Sequence, residues 1–359
     1  MNHKLIRHLC YTLFGLISFG LTRPVFAFCT EPKLSPQTQA YIKTRLYTLY
    51  CLYDNRAILQ VDLDDLLDKS LRGRYAFVDE KGDLVIPFQF EDASSFSDGL
   101  AAVKNTDEEW GFIDTSGKVV IPYQYQRVYS FSNGTASVQL SAINGSGIID
   151  KTGKVIIPFE YDLVKSFQQG LALARKTRFD KFGYLNKHNQ WAVAPQFNEA
   201  MDFLGEEGLA AVKINGLWGY INTQGENVIQ PQYEDANEFS EGLAAVKSNG
   251  KFGFINRQNQ LIIPFKFRYA EVFTNNRARV ILDDEEQTNT FVDKQGKLIG
   301  YALECQHIKV GQPTQDVMSE KILQIQKLDV INGKVYLSEK NSKPTEWWTR
   351  RCWEINAKW

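Results

Sequence analysis

One pattern returns seven times along this 359-residue chain, and no other feature restricts the fold as strongly. Aligned on a glycine-aromatic-aliphatic-Asp/Asn core, the copies are YAFVDEKGDLVIP from Tyr75, WGFIDTSGKVVIP from Trp110, SGIIDKTGKVIIP from Ser146, FGYLNKHNQWAVA from Phe182, WGYINTQGENVIQ from Trp218, FGFINRQNQLIIP from Phe252 and TFVDKQGKLIG from Thr290. Successive copies lie about 34 to 37 residues apart. A fixed period of this size marks a tandem-repeat architecture, in which each unit buries its apolar face only against its neighbours. Three columns run through the rest of the unit. One is always phenylalanine (Phe96, Phe131, Phe167, Phe203, Phe239, Phe273), and one is always alanine (Ala101, Ala136, Ala172, Ala210, Ala244, Ala278). The third is always aromatic (Phe90, Tyr125, Tyr161, Phe197, Tyr233, Phe267).

Each copy reads as a hairpin. Gly219 to Asn222 is rich in aromatic and β-branched types, as a short strand requires, and Val228-Ile229 begins the return strand. The Asp or Asn opening each turn can accept a hydrogen bond from an amide two residues on. Three residues later stands Gly82, Gly117, Gly153, Asn189, Gly225, Asn259 or Gly296, the types that best tolerate positive φ. The proline after the aliphatic pair donates no backbone hydrogen bond, so the return strand belongs at an edge. Asn215-Gly216 and Asn249-Gly250 supply another tight turn. The fold expected is an all-β tandem-repeat array of about six and a half antiparallel β-meander units of about 36 residues each. It is read as an open curved solenoid, with a β-propeller of about seven blades as the alternative.

These landmarks resemble the WG-repeat family, after the Trp-Gly pairs at 110–111 and 218–219, with Phe-Gly at 182–183 and 252–253. The resemblance covers about residues 73–300. Three copies depart from it: Ala76 replaces glycine in the first and Ser146 the aromatic in the third, while the fourth carries Trp191 in its return strand and an insertion at Leu204-Gly205-Glu206-Glu207. The resemblance implies an all-β repeat protein of envelopes and secreted fractions; it implies no established reaction.

The ends differ from the array. Lys4 and Arg7 precede an apolar run from Leu9 to Leu21, then Val25-Phe26-Ala27, the layout of a secretory signal peptide cleaved after Ala27. That run is shorter than the roughly 20 residues a membrane-spanning helix needs, and no later segment is apolar for long enough. Residues 28–72 are expected to form a helical amino-terminal cap, beginning at Ser35-Pro36 as N-cap and first-turn proline and running to about Leu71. Residues 73–300 form the array. Residues 301–359 read as a small β-rich subdomain with an Asn332-Gly333 hairpin.

An exported chain is expected to sit in the periplasm or outside the cell. Loss of residues 1–27 removes Lys4, Arg7, Arg23 and Cys10, leaving 38 basic and 42 acidic residues, a net charge of about −4 and no electrostatic footprint for nucleic acid. Four cysteines remain, Cys29, Cys51, Cys305 and Cys352. An even number in an oxidising compartment favours disulfides. Three connectivities are formally open, and the pairs nearest in sequence are Cys29 with Cys51 and Cys305 with Cys352.

No catalytic, metal or cofactor site is expected. Only His188 and His307 remain in the mature chain, neither beside a nucleophile in sequence, and metal-ligand spacings are missing. The array's aromatic columns are needed as core between units. Candidate ligand contacts are therefore the residues outside the periodic demand: Trp191, Glu206, Glu207, Trp347 and Trp348. The function expected is that of a non-enzymatic binding or scaffold protein contacting a protein or an envelope glycan. The alternatives are a glycan-processing hydrolase, which would need two carboxylates about 5 to 10 Å apart, and a purely structural spacer.

Overall fold

A computed structural model describes residues 32–42, 47–61, 74–141, 145–205, 207–285 and 287–300, together with the backbone of four strands between 313 and 351. Among the described residues there is one helix, α1 (Pro36–Ile42), and everything else regular is antiparallel β structure. The chain divides into two compact units, 1–197 and 198–359.

The first unit holds four four-stranded meanders, each strand paired with its neighbours in sequence. Sheet one is β1 (Tyr47–Tyr53), β2 (Arg56–Val61), β3 (Tyr75–Val78) and β4 (Leu84–Phe90). Sheet two is β5 (Asp92–Ala93), β6 (Leu100–Lys104), β7 (Trp110–Asp114) and β8 (Val119–Tyr125). Sheet three is β9 (Arg127–Val128), β10 (Thr135–Ser141), β11 (Gly145–Asp150) and β12 (Val155–Tyr161). Sheet four is β13 (Leu163–Val164), β14 (Ala172–Arg175), β15 (Phe182–Leu185) and β16 (Trp191–Phe197).

The second unit begins with sheet five, β17 (Glu199–Ala200), β18 (Leu209–Ile214), β19 (Leu217–Asn222) and β20 (Asn227–Tyr233). Sheet six runs to six strands: β21 (Asp235–Ala236), β22 (Ala244–Ser248), β23 (Lys251–Ile255), β24 (Leu261–Ala270), β25 (Arg277–Leu282) and β26 (Asn289–Asp293). A last meander comprises β27 (Pro313–Gln315), β28 (Ile322–Asp329), β29 (Lys334–Glu339) and β30 (Trp348–Arg351).

Sheet and sequence repeat are out of phase. The copy starting at Trp110 supplies the third and fourth strands of sheet two and then the first and second strands of sheet three. Each repeat thus stitches one sheet to the next. Sheet one consequently needs two strands from before the first copy, and β1 and β2 provide them. This corrects the expected helical cap: the N-cap at Ser35 is real, its Oγ accepting from the Thr38 amide at 3.3 Å, but the helix reaches only Ile42. Leu49 and Leu52 are strand residues. Their i, i+3 spacing fits a helical stripe; in β1 a register shift between them turns both onto the same core.

The glycine of each Trp-Gly or Phe-Gly pair has a steric cause. Trp110 pairs with Tyr125 and Phe112 with Ile121, so two residues of β7 span four of β8, and the return strand bulges at its proline. The bulge brings a carbonyl over the glycine. A Cβ added to Gly111, Gly147, Gly183, Gly219 or Gly253 would lie 2.5–2.8 Å from the carbonyl oxygen of Ile121, Ile157, Val193, Ile229 or Ile263 respectively. At these five positions a side chain would clash with the return strand.

The turn carboxylates and amides behave as expected in all seven copies. Oδ1 of Asp79, Asp114, Asp150, Asn186, Asn222, Asn256 and Asp293 accepts from the amides two and four residues on, at 2.8–3.1 Å. Glycine or asparagine three residues later has φ between +58° and +87° where recorded. Where that residue is Asn189 or Asn259, the hydroxyl of Tyr161 or Tyr233 donates to its Oδ1 at 2.7 and 2.6 Å.

The invariant phenylalanines are core. All six are at most 2% exposed, and four meet a ring of the third strand edge-on at 4.7–5.0 Å, as in Phe112–Phe131 and Tyr220–Phe239. The alanine column is equally buried. A second tie joins neighbouring sheets within each unit at the turn between first and second strands. The Gly99, Gly134 and Gly242 amides donate to the carboxylates of Asp54, Asp98 and Glu207, each from the sheet before, at 2.8 Å; within sheet six the Asn276 amide, at the turn between its fourth and fifth strands, donates to Glu241 in the same way at 2.9 Å.

Candidate functional site

In a meander, the first and third turns leave from one end of the sheet. The second turn and the connection to the next sheet leave from the other. The first and third turns are committed to the ladder and the Asx bonds above. Apart from the insertion at Leu204 to Glu207 in the first turn of sheet five, variation falls on the second. It is a two-residue turn at Asn215-Gly216 and Asn249-Gly250, with φ positive at both positions. In sheet two it lengthens to 105–109, folded on Asn105 Oδ1, which accepts from the Asp107 and Glu109 amides.

In sheet four the second turn spans Lys176 to Lys181 and ends in an exposed ring. The Asp180 carboxylate accepts from the Thr177 amide at 2.9 Å, and the Asp180 amide donates to the Thr177 carbonyl at 3.0 Å. Phe179 at the tip is 85% exposed. The Arg178 guanidinium carbon lies 5.0 Å from its ring centre.

At this end of a regular sheet an acid, a cation and an aromatic ring stand side by side across the first three strands. Lys213 bonds Glu199 at 2.8 Å and lies 5.6 Å from the Trp218 ring. Arg175 bonds Asp162 at 2.7 Å and lies 5.0 Å from the Phe182 ring. The tryptophan of the repeat is thus a platform for its own sheet's cation. In sheet three the corresponding cross-strand residues are Arg127, Gln139 and Ser146, and the row contains neither acid nor ring.

A groove of about 650 Å³ lies in the first unit next to this row. Gln139 and Gly145 of sheet three, Phe159 to Asp162 at the connection, and Lys176 to Arg178 of sheet four line it. Ser146, paired with Tyr161 across the strands, sends its hydroxyl to the Asp162 carbonyl at 3.4 Å. The charged wall is internally balanced. Lys176 bonds Glu160 at 2.9 Å and lies 4.7 Å from the Tyr161 ring centre, and the Asn189 amide donates to Glu160 at 3.4 Å. The Lys176 ammonium, assisted by that amide, holds the Glu160 carboxyl below its usual range, and burial raises the Tyr161 phenol.

The expected contacts disperse. Trp191 is half-buried on β16, edge-on to Tyr161 at 6.0 Å, with its ring against the core of sheets three and four. Glu207 is the ladder carboxylate that binds the Gly242 amide. Trp348 opens β30, and Cys51 is half-buried on β1. Glu206, Trp347, Cys29, Cys305 and Cys352 lie outside the described residues. Sequence reasoning missed Phe179 and the groove. The signals were Ser146, a break in the aromatic column, and a second turn longer than Asn-Gly.

Comparison with known proteins bears on the repeats. Six consecutive segments, 75–107, 110–141, 147–177, 182–218, 218–252 and 252–285, match the WG containing repeat. The chain belongs to the WG containing repeat family. No curated protein matches it. Among solved structures, the computationally designed Ika8 protein is 10% identical with a TM-score of 0.41, covering 82% of this chain and 94% of that one. BamB from Moraxella catarrhalis is 11% identical at 0.39, covering 82% and 92%. Virginiamycin B lyase from Staphylococcus aureus is 13% identical at 0.34, covering 69% and 90%. In this WG-repeat chain the eponymous pair is scaffold: the aromatic seats a cation and the glycine admits a carbonyl. Among the described residues, no helix is long and apolar enough to cross a membrane.

Proposed function

We propose that this WG-repeat chain is an exported, non-enzymatic binding or scaffold protein that contacts a protein or a cell-envelope polymer. One observation carries the reading. Where the repeat is intact its polar groups are spent on turns and neighbouring sheets, whereas a groove lined by Gly145, Phe159 to Asp162 and Lys176 to Arg178 lies next in sequence to the departure at Ser146 and to the exposed Phe179. An exposed ring on a loop beside a groove supports a contact surface, since loops held by a rigid scaffold are where binding residues concentrate. Export is supported by the amino-terminal sequence, with cleavage after Ala27, and we pair Cys29 with Cys51 and Cys305 with Cys352 in the mature chain.

A pull-down from envelope extract with the mature chain, run beside sedimentation with peptidoglycan, tests the binding reading. Retention of a partner in either assay is the expected result; no partner in both would leave a structural spacer. Sugar release from cell-wall material would overturn the non-enzymatic part. Non-reducing mass spectrometry of protein taken from the producing cells should show Phe28 as the amino terminus and two disulfides. Four free thiols would refute the compartment.

A further inference from the structure

We infer that the groove beside Ser146 is a carbohydrate site that takes a short stretch of a neutral, hydroxyl-rich sugar chain, with Phe179 as its stacking platform. The inference rests on the binding reading and names its ligand class. Three observations converge on it.

The first is the electrical balance of the wall. Glu160 faces Lys176 and Asp162 faces Arg175, each at ion-pair distance. Such a surface presents little net field to an ion. It does fix carboxylate acceptors and ammonium and guanidinium donors side by side. A sugar hydroxyl donates and accepts at once, so a neutral polyol can use both.

The second is size and openness. A volume of about 650 Å³ falls within the ~300–1,000 Å³ of small-ligand sites, room for a few sugar rings. The groove runs along the connection between two sheets and is open to solvent, which lets a chain pass through rather than end inside.

The third is the ring. Phe179 is 85% exposed, and Arg178 lies against it at 5.0 Å. An aromatic face in water, adjoining fixed polar groups, suits the apolar face of a pyranose, whose C–H groups lie on one side and whose hydroxyls project around the rim. Ser146, next to the groove's Gly145 and Tyr161, stands where Trp110 and Trp218 stand in other copies.

Calorimetric titration of the full mature chain tests this, using tetrasaccharides of β-1,4-linked N-acetylglucosamine and of β-1,4-linked glucose as probes. Saturable binding of at least one is expected. Ser146→Trp, which restores the repeat's own ring, and Phe179→Ala should each weaken it by about tenfold or more with the thermal midpoint unchanged. Phe179→Trp should keep it within about threefold. Phe179→Ala carries the test alone should Ser146→Trp disturb folding, since so exposed a ring contributes nothing to packing. Absence of binding of both sugars at millimolar concentration overturns the inference, as does binding that neither variant weakens. If the sugars fail while Phe179→Ala loses a protein retained in the envelope pull-down, the ligand class is wrong and the binding reading stands.

Discussion

The turn at Asp98-Gly99 and the loop at Thr177 to Lys181 each close a hairpin between short strands, and they use their side chains in opposite ways. Asp98 spends its carboxylate on the Gly134 amide of the next sheet at 2.8 Å, with φ at +54°. The longer loop ties Thr177 to Asp180 and sends Phe179 into water. The first kind of turn holds sheets together and recurs with the period. The second is free to vary, because the turn that follows the second strand is asked only to reverse the chain. In a repeat protein, then, the periodic residues report the scaffold, and the aperiodic turn is where one copy is free to differ from the next.

That division should be measurable as a ranking of stability effects. The largest loss belongs to the column that neither turn touches: Phe239→Ala, at 1% exposure and edge-on to Tyr220 at 4.7 Å, should cost about 3–5 kcal/mol in urea unfolding. A loss under about 1 kcal/mol would remove the column from the core. Next comes Gly219→Ala, whose Cβ would meet the Ile229 carbonyl at 2.5 Å. Overpacking there should cost about 1–3 kcal/mol, and a neutral result would show that the bulge can slide away. Asp98→Ala gives up one charge-assisted bond and leaves alanine in the left-handed region, for about 1–2 kcal/mol. Phe179→Ala should stay within about ±0.5 kcal/mol. A clear destabilisation there would make the loop scaffold and erase the contrast.

Most of the array was legible because its causes are local. Asp114 opens a turn and Gly117 closes it within four residues, so both roles could be read from a single copy. The phenylalanine and alanine columns follow from spacing alone. What could not be read required knowing which strands share a sheet. Residues 47–61 looked helical because Leu49 and Leu52 are spaced as on a helix, a spacing that β1 accommodates only through a register shift between them, and only the half-unit offset of sheet and repeat shows that sheet one needs two more strands. Glu207 looked like an inserted surface acid, but its partner, Gly242, is 35 residues away in the following sheet. The groove was hidden for the same reason. Ser146 was visible as a departure, but the groove next to it is bounded by Lys176 and Arg178, which belong to sheet four and not to the copy that Ser146 opens.

The smallest expected effect separates the two committed turns from each other. Asp114 and Asp150 sit in Asx turns where other copies use Asn186, Asn222 and Asn256, and an amide oxygen accepts the same two backbone bonds. Asp114→Asn should therefore change stability by under about 0.5 kcal/mol at neutral pH. Its effect should instead appear in acid. The Ser116 hydroxyl, with the Ser116 and Lys118 amides, holds the Asp114 carboxyl below its usual range, and Thr152 with its neighbours does the same for Asp150. A carboxyl depressed on folding contributes stability that is fully present above its unfolded pKa and is lost as pH falls through the folded value. The wild-type chain should accordingly lose stability on descending below about pH 4. The double variant Asp114→Asn, Asp150→Asn should lose less over the same interval, by an amount reduced by solvent screening at these exposed turns. Parallel acid arms for the two proteins, measured by urea midpoints between pH 6 and pH 2.5, would mean that the turn oxygens act as geometry alone, with no contribution from their charge.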